Sequence, residues 1–286
     1  MLQRSTLILL RVPFSFFLMP VFFFALSQVQ DIHWGKAALI FLILHFILYP
    51  SSNGYNSYMD RDEASIGLLE KPPRPTKELF KLTMALDMLA ILLSFIVNSV
   101  FAACIIANIG ASHAYSYRGI RLKQYPVTGF LTVILFQGAL TYFMVYQGAN
   151  AAYTEVPWTG MLISTLLFGG FYPLTQIYQH QQDLADGVQT ISYKLGVRGT
   201  FIFSGCMYLL AEALLFFYFS KGEVNQFYLL QLFFIPVIVY FTVWLRKVWK
   251  NPGNADFRHA MRMNGIAALS MNAAFILMLA MNHIEK

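Results

Sequence analysis

Nine stretches of largely apolar sequence, separated by short polar gaps, run along the chain: 7–26, 37–52, 79–97, 100–114, 127–146, 158–178, 200–219, 227–244 and 263–281. A helix needs about 20 apolar residues to cross a hydrocarbon core about 30 Å thick. Most of these stretches meet that length, and the short second and fourth are extended by polar neighbours. Backbone N–H and C=O groups find no partners in lipid, so such segments must be helical. The expected fold is all-α: a polytopic membrane protein of about nine transmembrane helices around a central cavity, forming one domain over 1–286. Composition agrees, because 57% of the 286 residues are hydrophobic and 12% charged, against about 25% charged in soluble domains. An ordinary soluble enzyme, a disordered chain and a disulfide scaffold are excluded. Cys104 and Cys206 lie inside apolar runs and read as small core residues. Arg11 interrupts the first stretch and no small-residue cleavage site follows, so that stretch reads as a span rather than a removed signal.

Positive charge fills every second gap. Arg4 and Arg11 lie at the start, Arg61, Lys71, Arg74, Lys77 and Lys81 after the second stretch, and Arg118, Arg121 and Lys123 after the fourth. Lys194 and Arg198 follow the sixth, and Arg246, Lys247, Lys250, Arg258 and Arg262 follow the eighth. Of the 20 Lys and Arg, only Lys36, Lys221 and Lys286 fall elsewhere. The positive-inside rule then places the N-terminus in the cytoplasm and the C-terminus outside, in what reads as a bacterial cytoplasmic membrane. The net charge of +6 is thereby topology and attraction to anionic membrane lipid, and no nucleic acid is expected as a partner.

The second stretch ends in Asn53, Asn56, Asp60 and Glu63, spaced so that they share one face of a helix. Asp62 falls on the opposite side, where it would pair with a basic neighbour. Carboxylates and amides at a membrane-helix end suit Mg²⁺, which takes hard oxygen ligands and favours a phosphate-bearing substrate. A polar helix end entering water is the plain alternative. A second copy follows at an offset of 123 residues without gaps: Tyr49-Pro50 matches Tyr172-Pro173, Asn53 and Asn56 match Gln176 and Gln179, and Asp60 and Glu63 match Asp183 and Asp186. This looks like an internal pseudo-repeat that brings two acidic faces to one cavity. Between the copies, Arg118, Arg121 and Lys123 could be topology signals only. They could also grip a diphosphate, helped by Arg74 in a proline-stiffened loop.

These motifs together resemble the UbiA-type intramembrane prenyltransferases. Asn56, Asp60 and Arg74-Pro75 match the family's first signature, approximately N-D-x-x-D-x-x-x-D followed by R-P. Tyr117, Arg121, Leu122, Lys123, Pro126 and Gly129 match its middle one, and Asp183, Gly187, Thr190 and Gly196 its second acidic one. Arg11 and Pro13 also fit, and the likeness covers the whole chain. Ser57 and Ala64 stand where the family usually has acids, and Gln179 replaces the first acid of the second motif.

The resemblance implies transfer of an isoprenoid chain from a prenyl diphosphate to an aromatic or other lipophilic acceptor, with Mg²⁺ as cofactor. It implies catalytic roles for Asp60, Asp183, Arg121 and Lys123, and substrate binding by Asn53, Asn56, Arg74, Tyr117, Gln179 and Asp186. Metal ligands would come from Asn56, Asp60, Glu63, Asp183 and Asp186, with Glu63 replacing the acid missing at Ala64. Tyr58, Tyr115 and Tyr117 are candidates for the reacting end of the pocket, or for interface aromatics. A family member that binds prenyl diphosphate or lipid without catalysis is the alternative. A small-molecule carrier is disfavoured, because carriers place their sites near the midplane. Asp87, Glu212 and His45 lie within apolar stretches, as functional groups or interhelical hydrogen bonds. A reporter fused at the C-terminus and active only in the cytoplasm should stay silent; activity would overturn the nine-span topology.

Overall fold

A computed structural model describes residues 2–220, 222 and 224–284. Each apolar stretch is helical. The first is broken into α1 (Arg4–Leu9), a tight turn over Val12–Phe17 and α2 (Met19–Ser27). Next come α3 (Trp34–Asp60), α4 (Lys77–Val97), α5 (Ser99–Ser116) and α6 (Pro126–Ala149). Helices α7 (Trp158–Phe171), the short α8 (His180–Ala185), α9 (Ile191–Phe219), α10 (Val224–Lys250) and α11 (Phe257–Ile284) complete the order. Among the described residues the only β pairing is two isolated bridges, Ile32 with Asn150 and Ile66 with Leu69.

The helices start where the sequence signals them. Asn98 accepts the Phe101 N–H at 2.8 Å and opens α5, and Thr190 accepts the Tyr193 N–H at 3.2 Å and opens α9. Pro126 opens α6 in the first helical position.

Helix length and composition alone do not confirm the expected count of nine spans. Among the described residues, six helices are long and apolar enough to cross a membrane, or seven if the pair bent by 41° around Leu18 is one span. Helix α5 has 18 residues and carries Asn108, Ser112 and His113, while α7 has 14 residues and tightens at Tyr172-Pro173. Of the three cations assigned to the far side, Lys221 and Lys286 lie outside the described residues.

The helices close into a ring: α4 and α5 pack against α3, α7 against α6, α9 against α7, α10 against α9, α11 against α10, and α2 against α11. The outward surface is apolar, with Leu92, Phe217, Leu232 and Leu269 exposed, as lipid contact requires. Cys206 is exposed there too, contrary to its expected place in the core, whereas Cys104 is buried. At one end of the ring, His33 donates its N–H to Ala149 O at 2.8 Å. At the other end gather the linkers 61–76, 117–125 and 176–190, tied together by charged contacts.

Ionisable groups inside the ring have partners. Asp87 accepts from Ser51 at 2.7 Å and meets His113 at 2.8 Å. Glu212 accepts from Gln231 of α10 at 2.7 Å, and His45 bonds Ser15 at 2.6 Å. Helices α3 and α6 each contain one widened turn, at Ile43–Leu48 and Leu135–Leu140. In α6 this turn carries Gly138 against α7, where an added Cβ would lie 2.7 Å from the Cα of Thr165. Backbone cannot yield as a flexible side chain does. Gly138→Val should therefore cost about 1–3 kcal/mol or more, read as a lowered Tm in detergent, while Gly110→Ala, which meets nothing within 4 Å, should leave Tm close to its starting value.

Candidate active site

Helix α3 ends at Asp60 because Arg61 adopts the left-handed conformation (φ 56°, ψ 40°). Such backbone costs a non-glycine residue about 1–2 kcal/mol. Arg11 (φ 46°) and Arg121 (φ 50°) share it. All three turns lie beside one polar cavity, and strain of this kind gathers at functional sites.

Past that turn, helical spacing no longer orders the side chains. Asp62 enters the cavity, where its carboxylate accepts from Gln182 Nε2. Glu63 points away; its side chain is 80% exposed and pairs at 3.3 Å with Arg74, itself 91% exposed. The expected arrangement is thus reversed: Asp62 faces in, and Glu63 and Arg74 lie outside.

The cavity has a volume of about 190 Å³. Asp60 comes from the end of α3, Asp183 from α8, Asp186 from just beyond α8, and Lys123 from the loop after α5. Asn56, Gln179, Gln182 and Tyr172 line it as well. Lys123 Nζ forms an ion pair with Asp60. Arg121 pairs with the Asp186 carboxylate, donates to the Asp186 carbonyl at 2.9 Å and stands 4.0 Å from Asp60. Arg118 donates to the Met59 carbonyl at 2.9 Å and to Asp186 at 3.4 Å, so it holds the end of α3 to the end of α8. Gln179 donates to the Ser65 carbonyl at 3.1 Å, and Asn56 to Ser116 Oγ at 2.9 Å. The Tyr115 and Tyr172 hydroxyls bond one another across the cavity wall.

The pseudo-repeat partners Asp60 and Asp183 meet in this cavity, but their backbones differ. The first copy is helical through Asp60, while the second passes through a tight turn at Tyr172–Thr175 before α8. Asn53 lines a second, adjoining cavity. Tyr117 is half exposed and lines neither, and Tyr58 packs on Phe80. The spacing argument missed Asp62 and Gln182, while Arg118 was read with the basic loop. Arg11, read as an interruption of the first stretch and a motif match, lines both cavities, and a cation inside an apolar stretch is itself a signal of function.

Two of the four carboxyl groups here are held well above the ordinary carboxylate range, chiefly by burial. Burial pushes the Asp183 carboxyl up to about 7, with Asp62 and Asp60 adding and Lys123 opposing. Burial and the neighbouring Asp60 push Asp62 up to about 6. Such hard oxygen donors, two of them outside any ion pair among the described residues, are of the type Mg²⁺ takes. Among the described residues no three His, Cys, Asp or Glu side chains are grouped so that they alone could hold a metal ion.

Residues 16–266 match the UbiA prenyltransferase family, and the chain belongs to that family. The fold is that of a UbiA homologue from Archaeoglobus fulgidus bound to DMAPP and Mg²⁺, at 18% identity and a TM-score of 0.73, covering 96% of this chain and 99% of that one. The same homologue bound to GPP and Mg²⁺ aligns at 19% identity and 0.73 over the same shares. The apo UbiA homologue from Aeropyrum pernix K1 aligns at 17% and 0.71, covering 93% and 98%. No curated protein matches the chain in sequence.

A carboxyl group with a raised value holds its proton more tightly folded than unfolded. The stability it contributes is present at low pH and is lost as pH rises from about 4 through about 7. With EDTA present, the protein should therefore melt at a higher temperature at about pH 6 than at about pH 8. Asp183→Asn should flatten that dependence; an unchanged slope would place the titrating group elsewhere.

Proposed function

We propose that this protein is a membrane prenyltransferase that moves an isoprenoid chain from a prenyl diphosphate to a lipophilic, aromatic acceptor. The observation that carries this reading is the convergence of Asp60, Asp62 and Asp183 with Lys123 and Arg121 at one end of a ring of apolar helices. Of the sequence-level ligand candidates, Asp60, Asp183 and Asn56 remain, Asp62 takes the place assigned to Glu63, and Asp186 anchors Arg121. Mg²⁺ held there would supply Lewis-acid neutralisation of the diphosphate.

The chain's own residues do the rest. Lys123 and Arg121 stand where negative charge grows on the leaving diphosphate. The C1–O bond of the prenyl group breaks, and its electron pair leaves with the diphosphate. The acceptor forms a new bond to C1 and gives up a proton, which the released diphosphate takes. Tyr115 and Tyr172 line the cavity, and an aromatic face turned to the cation that develops at C1 is worth about 0.5–2 kcal/mol. For the tail, the ring holds two adjoining apolar cavities that share Leu167, Tyr208 and Met271, the larger of about 290 Å³. The charge pattern supports placing the polar cavity on the cytoplasmic side.

Prenyl diphosphate should bind only with Mg²⁺, and EDTA should abolish binding. Asp60→Asn, Asp183→Asn and Asp62→Ala should each weaken it about tenfold or more, because an amide or a methyl group cannot neutralise the ion. Glu63→Ala should be silent. Binding untouched in the first three variants, measured by titration calorimetry in lipid nanodiscs, would remove the proposed site.

A further inference from the structure

The larger apolar chamber, of about 290 Å³, lies where α9 meets α10 and carries polar groups that prenyl transfer does not use. Its walls include Leu167, Phe234, Val237 and Phe241, and two side chains break that apolar lining: Tyr208 and Glu212 of α9. Leu209 and Ile238 also line it, and they are 72% and 54% exposed. The chamber therefore reaches the outward surface of the ring, which faces the bilayer.

Tyr208 and Glu212 stand four residues apart on α9, one above the other on a single face. The Tyr208 ring packs against Gly170 of α7, where an added Cβ would lie 2.9 Å from it, and meets Phe241 edge-on at 6.1 Å between centroids. Held there, its hydroxyl is buried without a hydrogen-bond partner. Glu212 accepts from Gln231 through Oε2 at 2.7 Å, and among the described residues its other oxygen has no partner. No cation lines the chamber. An ionised carboxylate inside hydrocarbon is costly without one, whereas a neutral carboxyl offers a free O–H donor.

We infer that this chamber binds a neutral lipid alcohol, which enters from the bilayer between α9 and α10 and sets its hydroxyl beside Glu212 and Tyr208. A carboxyl O–H donates, and a phenol hydroxyl both donates and accepts, so the group that serves both is another hydroxyl. Depth selects against charge. Glu212 lies about 10 Å inside the Phe219 end of α9, where a charged headgroup costs far more to bring than a neutral hydroxyl. Size sets the chain: a cavity of about 150 Å³ holds the six carbons of benzene, so one about twice as large holds about twelve. The site needs no diphosphate and goes beyond the transferase reading. The prenyl tail of that reading would share the chamber, so alcohol and tail exclude one another.

The test uses the full chain in lipid nanodiscs and three twelve-carbon probes with a mid-chain diazirine: an alcohol, an ammonium and an alkane. After illumination, labelled peptides are located by mass spectrometry. The alcohol should label α9 and α10 about tenfold more than either of the others. Glu212→Leu combined with Gln231→Leu, which leaves neither partner orphaned, should erase that preference, and Glu212→Gln, whose amide still donates, should keep it. Gly205→Leu should block all three probes by filling the chamber, where an added Cβ comes no closer than 3.9 Å to Phe241. A single melting transition in detergent shows that each variant is folded. Stronger labelling by the ammonium probe, or an alcohol preference that survives in the double variant, would overturn the inference. A twenty-carbon prenyl diphosphate with Mg²⁺ should displace the alcohol. If it does not, while labelling still depends on Glu212, the tail lies elsewhere and the hydroxyl site stands.

Discussion

The polar end of this protein depends on four carboxylates, Asp60, Asp62, Asp183 and Asp186, crowded into a partly buried space with four cations, Arg11, Arg118, Arg121 and Lys123. Lys123 is committed to Asp60 and Arg121 chiefly to Asp186, so among the described residues Asp62 and Asp183 form no ion pair. Negative charges this close repel one another unless something positive lies between them. The loops are shaped around that condition. Arg118 fastens the ends of α3 and α8, and Gln179 and Gln182 hold the 61–76 segment by its backbone and by Asp62. The same linkers that carry much of the chain's positive charge thereby become the walls of the site.

Much of the architecture was legible because bilayer physics leaves few choices. Apolar runs became helices, although the helix capped by Thr190 begins well before the apolar run at 200. What stayed hidden was local. Nothing in the residue pattern announces the widened turns of α3 and α6, since they arise where neighbouring helices press close, as Gly138 does on α7. Fewer helices than expected meet the length and apolarity of a membrane anchor, for a related reason. Helix α5 turns Asn108 and Ser112 toward a cavity, and a helix that serves a cavity is less apolar than a pure anchor.

Within the site, residues on regular helix or read by loop position were found. Asp60, Asn56, Asp183, Lys123 and Arg121 all meet at the polar end. Those placed by extending helical spacing past Asp60 were not. Glu63 lies outside, Asp62 inside, and Arg74 follows Glu63 to the surface. Tyr117 failed similarly, because α5 ends at Ser116 and the following turn carries its ring outward.

The left-handed turn at Arg61 bears on how such chains are compared with one another. Scored by interval, position 64 is a lost acid, since Ala64 stands where a carboxylate is usual. Scored by the side of the chain reversal on which each residue falls, nothing is missing from the cavity, because Asp62 occupies it. One residue at a reversal can change which neighbour faces inward without any change in the number of acids. A short insertion or deletion here would therefore shuffle the letters of the motif while conserving its charge in space. Aligning relatives column by column would then record degeneration where the geometry records substitution.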